Sequence, residues 1–438
     1  MNQALKKLDY PLLLKGARIV DPFNNLDKKL DILIEDCRIK AIDGTIREFS
    51  KNTKEINLDG KWICPALIDM HVHLREPGEE YKETILTGTR AAAAGGFNAV
   101  CCMPNTNPVN DNPSVTRFII EKAEKEGFCK VYPIAAITKG QKGESLTEFG
   151  DLKEAGAIAL SDDGHPVSNA NVMRVALEYA LGFDTLIISH AEELELSKEG
   201  CMNAGPVSTM LGLKGIPSTA EEVAIYRDVR LCAFTGARLH IAHVSTKESV
   251  NIIREAKKQG IKVTAETAPH YFSLTHEAVI GYNTNAKMNP PLRSQEDVDA
   301  IIEGLRDGTI DVIATDHAPH SELEKDIEFS LAANGIIGLE TSIPLSLELV
   351  RKGHLSPLEL IAKLSLNPYK ILNLSPLPLS VGEIANFVII DPDLEFKVSK
   401  ENLHGKSYNS PFLGKTLRGR AIVTVCNSFV TFDLLNLL

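Results

Sequence analysis

Residues 66–77, ALIDMHVHLREP, set His71 and His73 one residue apart at the end of an apolar run, with Arg75 two positions further on. Successive side chains of an extended chain point to opposite faces, so the two imidazoles share a face and can grip one cation. Alone, such a pair is weak evidence, because a histidine at a strand end is more often a hydrogen-bonded surface residue than a ligand. Other apolar runs, however, also end in metal-capable side chains: Asp162 and Asp163 after AIALS, His190 after TLIIS, His243 after RLHIA, and Asp316 after DVIAT. Neutral imidazole with carboxylate suits zinc and related divalent ions. Four histidines, one of the adjacent pair Asp162 and Asp163, and Asp316 exceed the needs of one tetrahedral ion unless a carboxylate bridges two. A two-metal centre of that kind can make a bound water acidic near neutral pH, so the chemistry expected is metal-assisted hydrolysis. Spacing does not choose between Asp162 and Asp163 as the bridge, since neighbours point to opposite faces.

These side chains need a common rim. From about residue 66 the chain alternates short apolar runs with longer stretches of helical spacing, the pattern of a parallel sheet with crossover helices. The runs are ALIDMHVH, NAVCCMPN, KVYPIAAIT, AIALSDD, TLIISHAE, RLHIAHVS, KVTAETAPH and DVIATDH, eight in all. Between them lie KETILTGTRAAAAG, NPSVTRFIIEKAEKEG, TAEEVAIYRDVRLCAFTG and TKESVNIIREAKKQG, each closed by a glycine. Eight such units predict an α/β fold, a (β/α)8 TIM barrel of the metal-dependent hydrolase type, with its active site at the C-terminal ends of the strands. Strand texture without helices marks LLLKGARIVDP, KLDILIEDCRIKAI and EINLDGKWICP near one end of the chain, and EIANFVIIDPDLEFKV and GRAIVTVCNSFVTF near the other. Residues 1–63 and 376–438 are therefore expected to form one small composite β-domain beside a catalytic barrel of residues 64–375.

Of the 438 residues 44% are hydrophobic and 24% charged, and the formal net charge is −11. An acidic chain lacks the basic face that nucleic acid or an anionic membrane would require, so a small-molecule substrate is the expected partner. No apolar run approaches the roughly 20 residues needed to span a bilayer, and the sequence MNQALKKLDYPLLLKGARIV has no signal-peptide apolar core. A cytoplasmic protein is expected. The eight cysteines form no C-x-x-C pair and read as small buried apolar residues. His240, three residues before His243, is expected to face away from it and pack against the helices. His165 and His270 are placed near the rim without a role, and His317 is expected to orient a neighbour.

The segments HVHLREPG, MPNTNP, SDDG, ISHAEE, HIAHVSTKES, KMNPPLR and IATDHAPH, in this order, resemble the amidohydrolase superfamily and, within it, class I dihydroorotases. The similarity runs from LLLKGARIVDP to YNSPFLGKTLRGR and is far more specific than H-x-H alone. It implies reversible hydrolysis of (S)-dihydroorotate to N-carbamoyl-L-aspartate in pyrimidine biosynthesis, with two Zn2+ ions per subunit. His71, His73 and Asp316 would hold one ion and His190 and His243 the other, with Asp163 and a hydroxide bridging them. Asp162 is then left to support the loop or cap an amide. The hydroxide would attack the ring carbonyl, and Asp316 would carry its proton to the departing ring nitrogen.

By the same resemblance, Arg75, Asn105 and His320 would surround the substrate carboxylate beside His73, with Asn289, Asn334 and the backbone at Gly335 near the ring. A guanidinium can hold a carboxylate through two parallel hydrogen bonds. Hydantoinases and dihydropyrimidinases resemble this pattern but carry a carboxylated lysine as the bridge. AIALSDDGHP has none, the nearest lysine upstream being Lys153. One departure lies in AANGIIGLE, where Asn334 stands in a position that is usually aromatic. A backbone contact survives that change, whereas side-chain packing over the ring does not. The rival readings are an amidohydrolase for another cyclic amide and a non-catalytic subunit that scaffolds aspartate carbamoyltransferase. That transferase is also a candidate partner of an active enzyme, and a homo-oligomer is expected.

Overall fold

The structure, a computed structural model, describes residues 5–438; Met1–Ala4 of the segment assigned to the small domain lie outside the described residues. Eight parallel strands follow one another in space as in sequence: β1 (Leu67–Val72), β2 (Phe97–Cys102), β3 (Lys130–Ala135), β4 (Ala159–Ser161), β5 (Leu186–Ser189), β6 (Leu239–Ile241), β7 (Val263–Thr267) and β8 (Val312–Ile313). The sheet closes on itself where Val72 bridges His317 and the His73 N–H donates to the His317 carbonyl at 2.8 Å. Asp69 holds the same seam, accepting from the amides of His71 (3.0 Å) and Thr315 (3.1 Å). The fold is the (β/α)8 barrel that the eight apolar runs announce.

Helices cover the barrel because each buries one stripe and stops on a local signal. Asn112 accepts from the amides of Ser114 and Val115 at the start of Pro113–Glu126, and Thr246 accepts from Ser249 at the start of Lys247–Lys258. Caps of this type contribute about 1 kcal/mol each. Helix Thr219–Thr235 ends at Gly236, whose φ of 72° places it in the left-handed region. In Lys247–Lys258 the buried residues Val250, Ile253 and Ala256 recur at helical spacing and face the strands.

A second sheet draws strands from both ends of the chain. Phe387–Lys397 pairs antiparallel with Trp62–Pro65, Phe387 opposite Pro65 and Ile390 opposite Trp62. Lys6–Lys7 pairs with Phe429–Asp433. Its own apolar cluster includes Leu12, Leu14, Ile19, Ile34, Phe387 and Val425. Buried Asn98 on β2 ties the two bodies together, its Nδ2 donating to the Val425 carbonyl at 2.6 Å. Between β5 and helix Thr219–Thr235 lies a segment the sequence pattern leaves untyped, with helix Pro206–Leu211 and a ladder of Met202–Asn203 on Gly215–Ile216. Two-residue strands are too short to show a period.

Candidate active site

Each metal-capable side chain lies at or just past a strand end. His71 is in β1 and His73 follows it, Asp163 follows β4, His190 follows β5, His243 lies two residues beyond β6, and Asp316 three beyond β8. All six are buried and meet at one point on the rim. Asp163 is the centre: its Oδ1 lies 3.3 Å from His71 Nε2, 3.4 Å from His190 Nδ1 and 3.5 Å from His243 Nε2, and its Oδ2 lies 3.5 Å from His73 Nε2. Asp316 Oδ1 stands 3.2 Å from His73 Nε2 and 3.5 Å from His71 Nε2. Two groups of potential ligand atoms result, His71, His73 and Asp163, and Asp163, His190 and His243, which share the aspartate. Asp162 turns away and accepts from the amides of Ile137 (2.8 Å) and Thr138 (3.0 Å).

The imidazoles are held so that they could serve as ligands. Three of the four offer their second nitrogen to an oxygen: His71 Nδ1 to Glu266 Oε1 at 2.6 Å, His73 Nδ1 to Asn105 Oδ1 at 2.8 Å, and His190 Nε2 to Glu192 Oε2 at 3.2 Å. Such bonds fix the tautomer and leave the other nitrogen's lone pair facing the centre. His71 Nε2 and Asp163 Oδ1 have no hydrogen-bond partner although both are buried. Buried polar atoms of this kind need a partner, and a divalent cation supplies one to all of them. Burial opposes charge here, yet Asp163 and Glu192 lift His190 to about 10. Glu192 and Glu266 are held at about 2 against the same burial, by His190 and by His71 with His240. A cation that displaces those protons inherits the charge balance.

Arg75 is 7% exposed, and its carboxylate partner, Glu79, is 3.9 Å away. Its Nε donates to the Pro319 carbonyl at 3.2 Å, and its NH2 lies 3.3 Å from His320 Nε2. Burial together with Arg75 and Lys82 pushes His320 down to about 3, so its ring is neutral. His320 Nε2 lies 2.8 Å from the Asn334 carbonyl, which requires the proton on that nitrogen. The guanidinium is thus a buried cation whose carboxylate partner, at 3.9 Å, is too far for a hydrogen bond, an arrangement that suits an anion receptor. Asn289 donates to Glu192 at 2.9 Å. The Asn334 side chain is exposed, and only its backbone faces His320. Gly335 has a φ of 147°, and a Cβ there would lie 2.8 Å from Ala318 Cβ and 2.9 Å from His320 Cδ2. Arg75, His243 and Asp316 also have positive φ values, 61°, 34° and 48°. Strain of about 1–3 kcal/mol per residue is characteristic of functional positions that the surroundings hold in place.

Two residues escape sequence reasoning and one reading needs correction. Glu192 and Glu266 hydrogen-bond the potential ligands His190 and His71; their only signals are a charge two residues past His190 and a charge inside the apolar strand KVTAETAPH. His240 does not pack against the helices. It is fully buried on the inner side of β6, with Nε2 3.2 Å from Glu266 Oε2 and Nδ1 2.8 Å from Thr264 Oγ1. Leu239 and Ile241, its neighbours, take the helix side, within the large cluster that includes helix residues Val250 and Ile253.

A (β/α)8 barrel whose strand ends gather imidazoles and carboxylates in this order defines an enzyme of the cyclic amidohydrolase type. Residues 60–249 match the family described as Dihydro-orotase-like. The dihydroorotase of Trichlorobacter lovleyi is 55% identical over 96% of this chain and 99% of its own length, and that of Desulfotalea psychrophila is 57% identical over 94% and 97%. The chain belongs to the dihydroorotase family. Its fold is also that of the L-hydantoinase from Arthrobacter aurescens, with a TM-score of 0.86 over 97% of this chain and 96% of that one, at 24% identity. Dihydropyrimidinase from Brevibacillus agri superposes with a TM-score of 0.83 at 23% identity, over 97% and 95% of the two chains.

Proposed function

We propose that this protein is a zinc-dependent dihydroorotase of the cytoplasm, which opens the ring of (S)-dihydroorotate to N-carbamoyl-L-aspartate and closes it again in pyrimidine biosynthesis. The observation that carries the reading is the position of Arg75, a buried guanidinium four residues past His71, beside a cluster built around one aspartate. A cyclic amide that bears a carboxylate needs both. Eight free cysteines fit a reducing compartment.

Two zinc ions, held by His71, His73 and Asp316 and by His190 and His243 with Asp163 shared, would polarise the ring carbonyl and make a water nucleophilic at neutral pH. The remaining work falls to side chains. Arg75 and His320 hold the substrate carboxylate, with Asn105 completing the clamp through its Nδ2. Asn289 and the Gly335 backbone fix the ring. Asp316, kept well below the usual carboxylate range by His71 and His73 against the effect of burial, is a base that takes a proton from the attacking water and delivers it to the leaving ring nitrogen. Ring closure is the same path in reverse.

A bridge at Asp163 in place of a lysine, together with Arg75, weighs against a hydantoinase-type specificity, and a full ligand set weighs against a non-catalytic subunit. The test is an assay of zinc-loaded protein on dihydroorotate, hydantoin and dihydrouracil. A kcat/KM far higher for dihydroorotate is expected. Preference for hydantoin would reject the substrate, and no turnover with both sites filled would reject the enzyme.

A further inference from the structure

Residues 328–336 form an irregular loop after β8; Ile336 bridges His317 and the amides of Leu331, Ala332 and Ala333 find backbone carbonyls, but the carbonyls from Ser330 to Gly335 take part in no regular sheet or helix. Side chains from elsewhere bind them. Lys287 Nζ donates to the carbonyls of Ser330 (2.8 Å) and Ala332 (2.7 Å). Lys325 Nζ donates to those of Ala333 (2.7 Å) and Gly335 (3.2 Å), and also to that of Lys287 (3.2 Å). Asn409 Nδ2 donates to Gly335 (3.1 Å) and Ala318 (2.9 Å), while its Oδ1 accepts from the His320 amide at 2.9 Å. With His320 on the Asn334 carbonyl, five of the six carbonyls from Ser330 to Gly335 are bound by side chains.

We propose that Lys287, Lys325 and Asn409 form a clamp that fixes the loop backbone in its substrate-binding shape, so that all three are positioning residues for the reaction. Neither ammonium forms an ion pair among the described residues, although both lysines are buried. Burying an ammonium without a carboxylate is costly, and a methionine would fill the space without that cost. What the lysines add is the collection of carbonyls. The clamp draws on three separate places: Lys287 in the segment before Asn289, Lys325 at the end of helix Glu322–Lys325, and Asn409 in the C-terminal part of the chain. The Gly335 N–H closes the arrangement by donating to the Lys287 carbonyl at 3.0 Å. The loop is anchored further by buried Phe329, whose ring lies 5.7 Å from Lys287 Nζ.

The clamp bears on Asn334, whose exposed side chain leaves only its backbone facing His320. Recognition there runs through the backbone, and the backbone is held by residues outside the loop. It also sets the partner of His320, and therefore the anion site beside Arg75. A loop ordered before binding does not lose that entropy when substrate arrives, so the effect appears in affinity.

The substrate contact at Gly335 rests on the function proposed above, whereas the clamp can be read without substrate. Lys325→Met and Asn409→Asp are compared with wild type as zinc-loaded full chains. Asn409→Asp keeps size and the bond to the His320 amide but sets an oxygen against the Ala318 and Gly335 carbonyls. Amide exchange across 330–336 without ligand is expected to accelerate roughly tenfold or more in both. KM for dihydroorotate is expected to rise roughly tenfold with kcat changed less than about threefold and zinc content unchanged. Lys325→Arg should recover part of the KM. Unaltered exchange overturns the clamp, as does a loss confined to kcat. If Lys325→Met does not fold, Asn409→Asp alone decides. A wild-type protein inert towards dihydroorotate counts against the proposed reaction, and exchange still decides the clamp.

Discussion

His71 Nδ1 lies 2.6 Å from Glu266 Oε1, and the other oxygen of the same carboxylate lies 3.2 Å from His240 Nε2. A strand that brings no residue to the proposed ligand set, β7, thereby sets the tautomer of a proposed ligand on β1. With its Nδ1 proton donated to Glu266, His71 keeps the Nε2 lone pair facing Asp163 and Asp316. Glu266→Gln retains the volume but loses the charge and lets an NH2 face an N–H. Metal affinity is expected to fall about 10- to 100-fold. Chelator competition on folded protein measures it, and an unchanged affinity would show that Glu266 does not orient His71.

Arg75→Ala removes the guanidinium without touching the ligands. KM for dihydroorotate is expected to rise roughly 10- to 100-fold, the range for hydrogen bonds to a charged group, with metal content at the wild-type level. Arg75→Lys restores charge but not the two-pronged geometry and should recover only part of the loss. Equal KM values for wild type and Arg75→Ala would move the anion site elsewhere.

The barrel was readable because every strand is an apolar run ending in polar residues, and even β8, reduced to Val312–Ile313, is announced by IATDH. The five residues around Asp163 were readable for the same reason: at a strand end a histidine or aspartate stands out, whereas Asp163 itself was told from Asp162 by the family resemblance alone. His240 was misplaced because alternation holds only within a strand. The strand β6 stops at Ile241, and His243 adopts a φ of 34°, so its ring swings to the rim while His240 stays on the inner face. Glu192, Glu266 and the lysines at 287 and 325 were unreadable in their roles. Glu266 acts on His71, 195 residues away, and Lys287 on Ser330, 43 away, and no local period encodes such pairs; Glu192 and Lys325 have nearer partners, His190 and Ala333, but in irregular segments without a period.

Asp316→Asn separates holding from proton transfer. The amide oxygen can still face the cation, but the side chain no longer accepts a proton. Zinc content is expected to stay substantial while kcat falls about 100- to 10,000-fold, the range for loss of a general base. Metal analysis and turnover on the same sample decide the matter. Near-normal kcat would assign the proton to another group.

His270 gives the protein a pH dependence of stability with a definite sign. It is buried, its Nε2 has no hydrogen-bond partner, and burial, aided by His243 and His71 against Asp316, pushes it from 6.5 down to about 4. Between those values the unfolded chain binds more protons than the folded one, so stability must fall as pH falls through that window. The contribution is fully present above pH 6.5 and reaches at most about 3 kcal/mol of loss near pH 4. His270→Gln cannot charge. On metal-free protein, urea midpoints of wild type are expected to drop more steeply from pH 6.5 to 4 than those of His270→Gln, and parallel curves would mean that His270 is protonated in the folded state.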